Sequence, residues 1–533
     1  MNKNNKDNQF IFSSVNIARL AKEIHIPIAI VQNMNKKYGL LPCVDDKVVE
    51  TIIKEQSLNL IAKLPPSPPE LLGDRQFIKL HELKYAYIVG EMANGIATAE
   101  MVIAAAKSGL FGFFGSAGLI PEVIQKNLHL IKQALGSSAK NWGSNLIHSP
   151  QEPALEEAIV NLYLESNVRC VSASAYMSLS PQIVRYAATG LQSDPQGKII
   201  RQNYILAKLS RPEVAKHFMS PPPQDMLDEL TAQGKITRLE AQFAAKIPIA
   251  EDITVEGDSG GHTDNRPLAP LFSTIYMLGT DLAEKYHYDT PFRIGTAGGL
   301  GTPSAIAAAF SLGAAYVLTG SINAASIESG LCEESKRMLA EADIADIMMA
   351  PSADMFELGV KVQVLKRSSL FGQRAAKLYE VYRNYTSIDN IPPDEKHKIE
   401  QQIFRDTLEN IWLLTCQFFT ERNPKHITLA EKDPKYKMAL IFRWYLGLSS
   451  QWSIIGDASR RLDYQIWCGP AMGAFNAWVV ESFLEDITQR GVVQIAKNLL
   501  EGAAIITRMN QLRIYGIELP SNAFNFRPHV IEY

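Results

Sequence analysis

The chain has 533 residues, with 53 Lys+Arg against 56 Asp+Glu, a formal net charge of −3 and 46% hydrophobic residues. That length allows one large domain with an appendage or two to three smaller ones, and the composition excludes disorder for most of it. The balanced charge argues against nucleic acid or an anionic membrane as a main partner. No uninterrupted apolar run approaches the ~18–20 residues of a membrane span.

The polar start MNKNNKDNQF lacks the apolar core of a signal peptide, and the five scattered cysteines form no CxxC pair. A soluble cytoplasmic protein with reduced thiols and no metal site is expected. Residues 1–80 mix short apolar runs, such as IPIAIV at 26–31, with the proline-rich stretch at 63–73. They suggest a leader that docks and ends in a stiff linker.

From about residue 84 a unit repeats: a short apolar run, a Gly or Ser, then a helical pattern. The strand candidates are 85–89, 110–114, 142–148, 168–174, 203–209, 252–257, 292–297 and 315–320. Runs that are apolar throughout and alternate with helices imply a parallel sheet buried on both faces. Eight units over about 250 residues match a (β/α)8 TIM barrel, with a doubly wound sheet as the alternative. The repeat stops after Ile344. A further strand is expected at 361–366, helices over 371–450, and two more helices near the C-terminus. The domain expectation is a leader and linker at 1–80, the barrel at 81–360, a helical lid or substrate subdomain at 361–475, and helices packing on the barrel at 476–533.

Barrel chemistry sits at the C-terminal ends of the strands, and the loops after strands 7 and 8 often hold a phosphate. Here those loops carry Gly298, Gly299 and Gly301 before a helix opening at Pro303, and Gly320 with Ser321 before another. Glycine lets backbone approach an anion closely, and a helix N-terminus points its positive end at it. The bland alternative is a pair of tight turns. A phosphate here would belong to flavin mononucleotide (FMN) or to a phosphorylated substrate. After strand 6 stands GDSGGHTDNRP, in which His262 follows Gly260 and Gly261 and is placed to move a proton near neutral pH. Its alternative is a histidine that only steadies the loop; Asp258, Asp264 and Arg266 shape that loop.

Met92, Ala93 and Asn94 after strand 1 can pass backbone under a flavin ring. Asn145 on strand 3 can bond a ring edge, and Lys208 on strand 5 can offset negative charge on it. The stretch 115–118 is expected to be structural. The P-loop, HExxH and GxGxxG patterns are absent from the sequence.

MANGIATAE (92–100), GLFGFFGSAGL (109–119), GDSGGHTDNRPL (257–268), the long run 293–323 and DYQIWCGPAMGAFN (463–476) together resemble the PfaD family. The likeness runs in order from about residue 60 to 515. These are trans-acting enoyl reductases of polyunsaturated-fatty-acid and polyketide synthases, related to 2-nitropropane dioxygenase-like flavoproteins. The resemblance implies an FMN-bearing barrel that uses NADPH to reduce the α,β double bond of a thioester on an acyl carrier protein. It implies His262 as the catalytic residue. Met92, Ala93, Asn94, Asn145, Lys208, Gly260, Gly261, Gly298, Gly299, Gly320 and Ser321 would hold the cofactor. Glu91 departs from the family pattern, where alanine commonly precedes the MANGI run. Lys366, Arg367 and Arg374 are candidates to meet an acidic carrier protein, or else a solvated turn. A nitronate monooxygenase-like oxidase, a non-catalytic docking subunit and a homo-oligomer all remain compatible with the sequence.

Overall fold

The computed structural model describes residues 11–150 and 152–532. Eight parallel strands close into a barrel: β1 (Tyr87–Val89), β2 (Phe111–Phe114), β3 (Trp142–Ile147), β4 (Cys170–Ser174), β5 (Tyr204–Leu209), β6 (Asp252–Glu256), β7 (Arg293–Ala297) and β8 (Val317–Thr319). Each lies within one of the eight apolar runs, and β8 pairs with β1 through Leu318 and Ile88 to close the ring. The strands are buried on both faces, which is why they are apolar at consecutive positions and do not alternate.

Helices follow the strands, among them Ala99–Lys107, Pro121–Leu135, Pro153–Glu165 and Pro303–Ser311. The last opens as its sequence suggests: Thr302 caps it by accepting from the Ala305 amide, and Pro303 takes the first turn. The helix beside the β8–β1 seam does not follow β8 directly. It is Val492–Ile514, which packs against Pro303–Ser311 and Ala99–Lys107 after a long excursion of the chain. A Cβ on Gly502 would lie 2.7 Å from Pro303, so glycine permits the close crossing. The sequence suggests two helices over the last ~50 residues, and one α-helix, Val492–Ile514, forms there among the described residues, with Gly502 inside it.

The excursion first adds a small antiparallel sheet, in which Lys361–Leu365 lies between Ile347–Pro351 and the two-residue strand Gly261–His262. Helices Phe371–Asn384, Leu408–Arg422, Lys425–Lys432 and Pro434–Ile455 come next. They are anchored by Asp463, fully buried, which takes Arg405 at 3.1 Å, Arg460 at 3.4 Å, the Tyr445 hydroxyl at 2.8 Å, and Arg374. Arg374 is therefore an internal ion-pair partner of Asp463 and no longer a candidate for carrier docking.

The N-terminal region is also more structured than a leader. Helices Ser14–Lys22 and Asp46–Glu55 pack with a three-stranded antiparallel sheet of Ile28–Gln32, Tyr38–Pro42 and Asn59–Leu64. The buried Arg508 guanidinium ties this unit to the barrel by donating to the carbonyls of Glu23, Ile26 and Pro65 at 3.0, 3.1 and 2.6 Å.

The N-terminal mouth of the barrel is plugged by helix Arg75–Leu80, with Phe77 stacked on Tyr316 at 4.2 Å. Beside it Asp252 bridges His81 at 3.3 Å and Arg293 at 2.6 Å, all out of solvent. Burial holds His81 neutral, while Arg293 and His81 keep Asp252 ionised against its own burial. Polar order at this end of a barrel serves stability. Asp252→Ala leaves a buried guanidinium underpaired and should cost about 3–5 kcal/mol. A thermal unfolding midpoint equal to that of the unaltered protein would show the network to be dispensable.

Candidate active site

At the C-terminal end of the barrel, Lys208 on β5 projects between two carboxylates. Its ammonium lies 3.1 Å from Glu91, just after β1, and 3.2 Å from Glu256 at the end of β6. Burial works against that charge, but Glu256 and Glu91 outweigh it and hold the lysine pKa above its ordinary value. Lys208 is a fixed cation. Glu91 also accepts from Ser172 at 2.8 Å through the same oxygen, while its buried Oε2 has no hydrogen-bond partner among the described residues. Ser259 donates to Glu256 at 3.2 Å.

Asn145 is buried and already engaged, donating to the Ser172 carbonyl at 3.1 Å and the Ser174 hydroxyl at 2.8 Å. The Met92–Asn94 run is set by its neighbour loop. A Cβ on Gly115 would fall 1.8 Å from the Met92 carbonyl and one on Gly118 would fall 2.1 Å from Asn94 Oδ1. The 115–118 glycines are a bed for the first loop, as the sequence suggests. Asn94 itself has a positive φ of 57° and donates to Ser450 of the excursion at 3.1 Å.

His262 sits on the rim of the barrel's C-terminal mouth, in the short strand paired with Lys361–Leu365. Its Nε2 lies 3.2 Å from Asp354, on the hairpin between Ile347–Pro351 and Lys361–Leu365, and 32% of its side chain remains open. Burial opposes the imidazolium, yet the Asp354 hydrogen bond and charge prevail and raise its pKa. Asp354, also bonded by Ser352, falls well below the usual carboxylate range. The histidine loop is locked from behind: Gln363 donates to Asp258 and to the Ser259 carbonyl, both at 2.8 Å, and Arg211 clamps Asp264 at 2.8 and 2.9 Å.

The two glycine loops lie next to one another, because β7 and β8 are neighbours. A Cβ on Gly299 or on Gly320 would meet no described atom within 4 Å. Those two positions border open space, whereas the glycines around them are tightly packed. A Cβ on Gly298 would strike Gly257 and Asp258, one on Gly301 would come 2.1 Å from the Ala471 carbonyl, and one on Gly260 would strike Cys468 and Ser321. The Gly469 amide donates to the Ser321 hydroxyl at 3.1 Å. Segment 468–471 thus seals the outer side of both loops, a role for the DYQIWCGPAMGAFN motif that its composition alone does not reveal. The space left open at these two glycines, beside the start of a capped helix, is one in which backbone amides could hold an anion such as a cofactor phosphate.

Asp354 leaves no mark in the sequence, because an acidic residue on an exposed hairpin carries no local pattern. Among the described residues, no group of three or more His, Cys, Asp or Glu is arranged to hold a metal ion, and no helix is long and apolar enough to cross a membrane.

A barrel with a histidine loop after β6 and two glycine loops after β7 and β8 defines a class, and residues 75–391 match the family described as nitronate monooxygenase. The chain belongs to that family. Within it, the chain groups with the crystallised enoyl reductase domain of MlnA from Bacillus amyloliquefaciens, at 37% identity over 84% of this chain and 100% of that one, TM-score 0.80. This agrees with the PfaD resemblance of the motifs. A polyunsaturated fatty acid synthase polypeptide of Thraustochytrium sp. is 43% identical over 86% of this chain but only 31% of its own length. For the polyketide biosynthesis protein PksE of Bacillus subtilis the figures are 41%, 84% and 58%. The chain therefore spans less than two thirds of these curated relatives. Residues 385–464 also match the inserted helical domain of [acyl-carrier-protein] S-malonyltransferase.

The pair at the rim gives a direct test. The raised pKa means that the ion pair is complete at low pH and is lost as pH rises through the folded value of His262. Asp354→Asn should lower the His262 titration midpoint, followed by NMR of the imidazole protons. A midpoint that stays in place would remove Asp354 from the account.

Proposed function

We propose that the protein is an FMN-dependent enoyl reductase that uses NADPH to reduce the α,β double bond of an acyl thioester on an acyl carrier protein, in polyketide or polyunsaturated-fatty-acid synthesis. The observation that carries this reading is the His262–Asp354 pair at the same end of the barrel as the clamped Lys208 and as the loops left open at Gly299 and Gly320. The names of the MlnA domain and of the synthase relatives support it.

Gly298, Gly299, Gly320 and Ser321 would hold the cofactor phosphate through backbone amides. Met92, Ala93, Asn94, Asn145, Gly260 and Gly261 would border the ring, with Lys208 as the cation beside it. When bound, FMN supplies hydride transfer between the nicotinamide and the β-carbon of the enoyl group.

Hydride addition at the β-carbon places negative charge on the thioester oxygen and leaves the α-carbon in need of a proton. His262, kept in its charged form by Asp354, is the group that donates that proton or stabilises the enolate. Lys208 cannot take the acid's role, because two carboxylates hold its proton firmly. Glu91 leaves this clamp with one negative charge in excess, a departure from the alanine-bearing family pattern that makes the pocket floor less electropositive.

The flavin assignment is tested by the absorbance spectrum of purified protein, then by anaerobic NADPH followed by crotonyl thioester on carrier protein. Flavin bands that bleach with NADPH and return with the thioester are expected. Return only with oxygen would favour a nitronate monooxygenase-like oxidase, and no flavin after added FMN would favour a non-catalytic synthase component. His262→Ala should keep the flavin and lose at least about 100-fold in re-oxidation by the thioester, the size of a general-acid effect. Gly320→Ala fills the cradle without touching the fold. It should weaken FMN retention while leaving the unfolding midpoint of the flavin-free protein unchanged.

A further inference from the structure

Helix Leu408–Arg422 buries Leu408, Ile411 and Thr415, yet its sequence, IWLLTCQFF through the middle, is apolar nearly all the way round. On the outer face Leu413, Leu414 and Phe418 are 65%, 44% and 53% exposed, and the next helix, Lys425–Lys432, exposes Leu429 at 53%. Single exposed leucines are ordinary, but a contiguous apolar stripe rimmed by polar groups marks an interaction site.

The rim is basic. Between residues 422 and 437 stand Arg422, Lys425, Lys432 and Lys437 against Glu431 and Asp433, while Lys435 turns inward to the Tyr382 and Tyr385 carbonyls. Lys437 lies over the Trp412 ring at 4.9 Å and Arg422 over Phe418 at 5.6 Å, so cations border the stripe on two sides. Its place matters as much as its composition. Arg422 is one turn beyond Phe418, on the same face, and binds Glu152 on the loop after β3 at 3.2 and 3.3 Å. The stripe therefore ends at the C-terminal mouth of the barrel.

We propose that Leu413, Leu414, Phe418 and Leu429, with Lys425 and Lys432, form the docking surface for an acidic, helical carrier domain bearing a phosphopantetheine thioester. The proposal rests on the enoyl reductase reading and moves its carrier contact away from residues 366–374. There Arg374 is consumed by Asp463, and Arg367 is paired to Asp346 at 3.3 Å. Two facts choose this occupant. An apolar stripe inside a positive rim complements an acidic helix with apolar residues on one side. The stripe also lies within residues 385–464, which match the inserted helical domain of an enzyme named for its action on an acyl carrier protein.

The test compares two substrates with the same chemistry, crotonyl thioester on carrier protein and crotonyl-pantetheine, for the full chain and its Phe418→Asp and Lys425→Glu variants. With the carrier substrate kcat/KM should fall at least ten-fold, through KM, while turnover of crotonyl-pantetheine stays unchanged. Equal losses on both substrates, or no loss on either, would overturn the docking surface. If the unaltered protein turns over neither substrate, the reductase reading fails on its own. Docking is then judged by anisotropy titration with a labelled carrier protein: a ten-fold weaker affinity in both variants supports the surface, and unchanged affinity overturns it. A dimer that Phe418→Asp splits in sedimentation, with carrier kinetics unaltered, would assign the stripe to a second copy of the chain and overturn the proposal.

Discussion

The site depends on a close backbone approach between stretches that are far apart in sequence. Gly260, from the loop after β6, meets Cys468 and Gly469 with no room for a Cβ, and Gly301, from the loop after β7, meets Ala471 in the same way. Ser321 accepts from the amide of Gly469 between them. A methyl group at any of these glycines would push the segment 468–471 away from both loops. The barrel supplies the strand ends, but the returning segment completes the wall around the open volume at Gly299 and Gly320.

The same division of labour runs through the charges. Lys208, Glu91 and Glu256 belong to the barrel itself, and their geometry follows from neighbouring strand ends. His262 belongs to a barrel loop, but its carboxylate partner and the strand that fixes its direction come from the excursion. One cation is therefore rigid and permanently paired. The other sits on a half-open rim, where its partner lies on a hairpin.

Much of this was legible in the sequence, for physical reasons. Strands buried on both faces leave unbroken apolar runs, so the eight barrel strands announced themselves, and the glycine loops after the seventh and eighth stood out at their ends. Long-range pairing leaves no such trace. Asp354 lies 92 residues from His262, and Asp463 lies 89 residues from Arg374, so neither partner could be found by spacing. Nothing in the sequence around Arg374 marks it as a pair-former, and only the fold brings it to a buried carboxylate. The N-terminal unit was hidden for another reason: its edge strand, Asn59–Leu64, is mostly exposed, which blurs the alternation that signals a sheet.

The position of helix Val492–Ile514 has a consequence for how the molecule is made. This helix packs beside the seam where β8 meets β1, yet it is synthesised only after the whole excursion. During translation the ring of strands can pair before its apolar outer face at that seam is covered. The nascent barrel then carries an exposed hydrophobic strip for as long as the excursion takes to emerge. Contacts of such wide sequence separation form slowly and leave intermediates open to aggregation. Production should accordingly be sensitive to temperature and to chaperone supply in a way that a barrel with its helices in simple order is not.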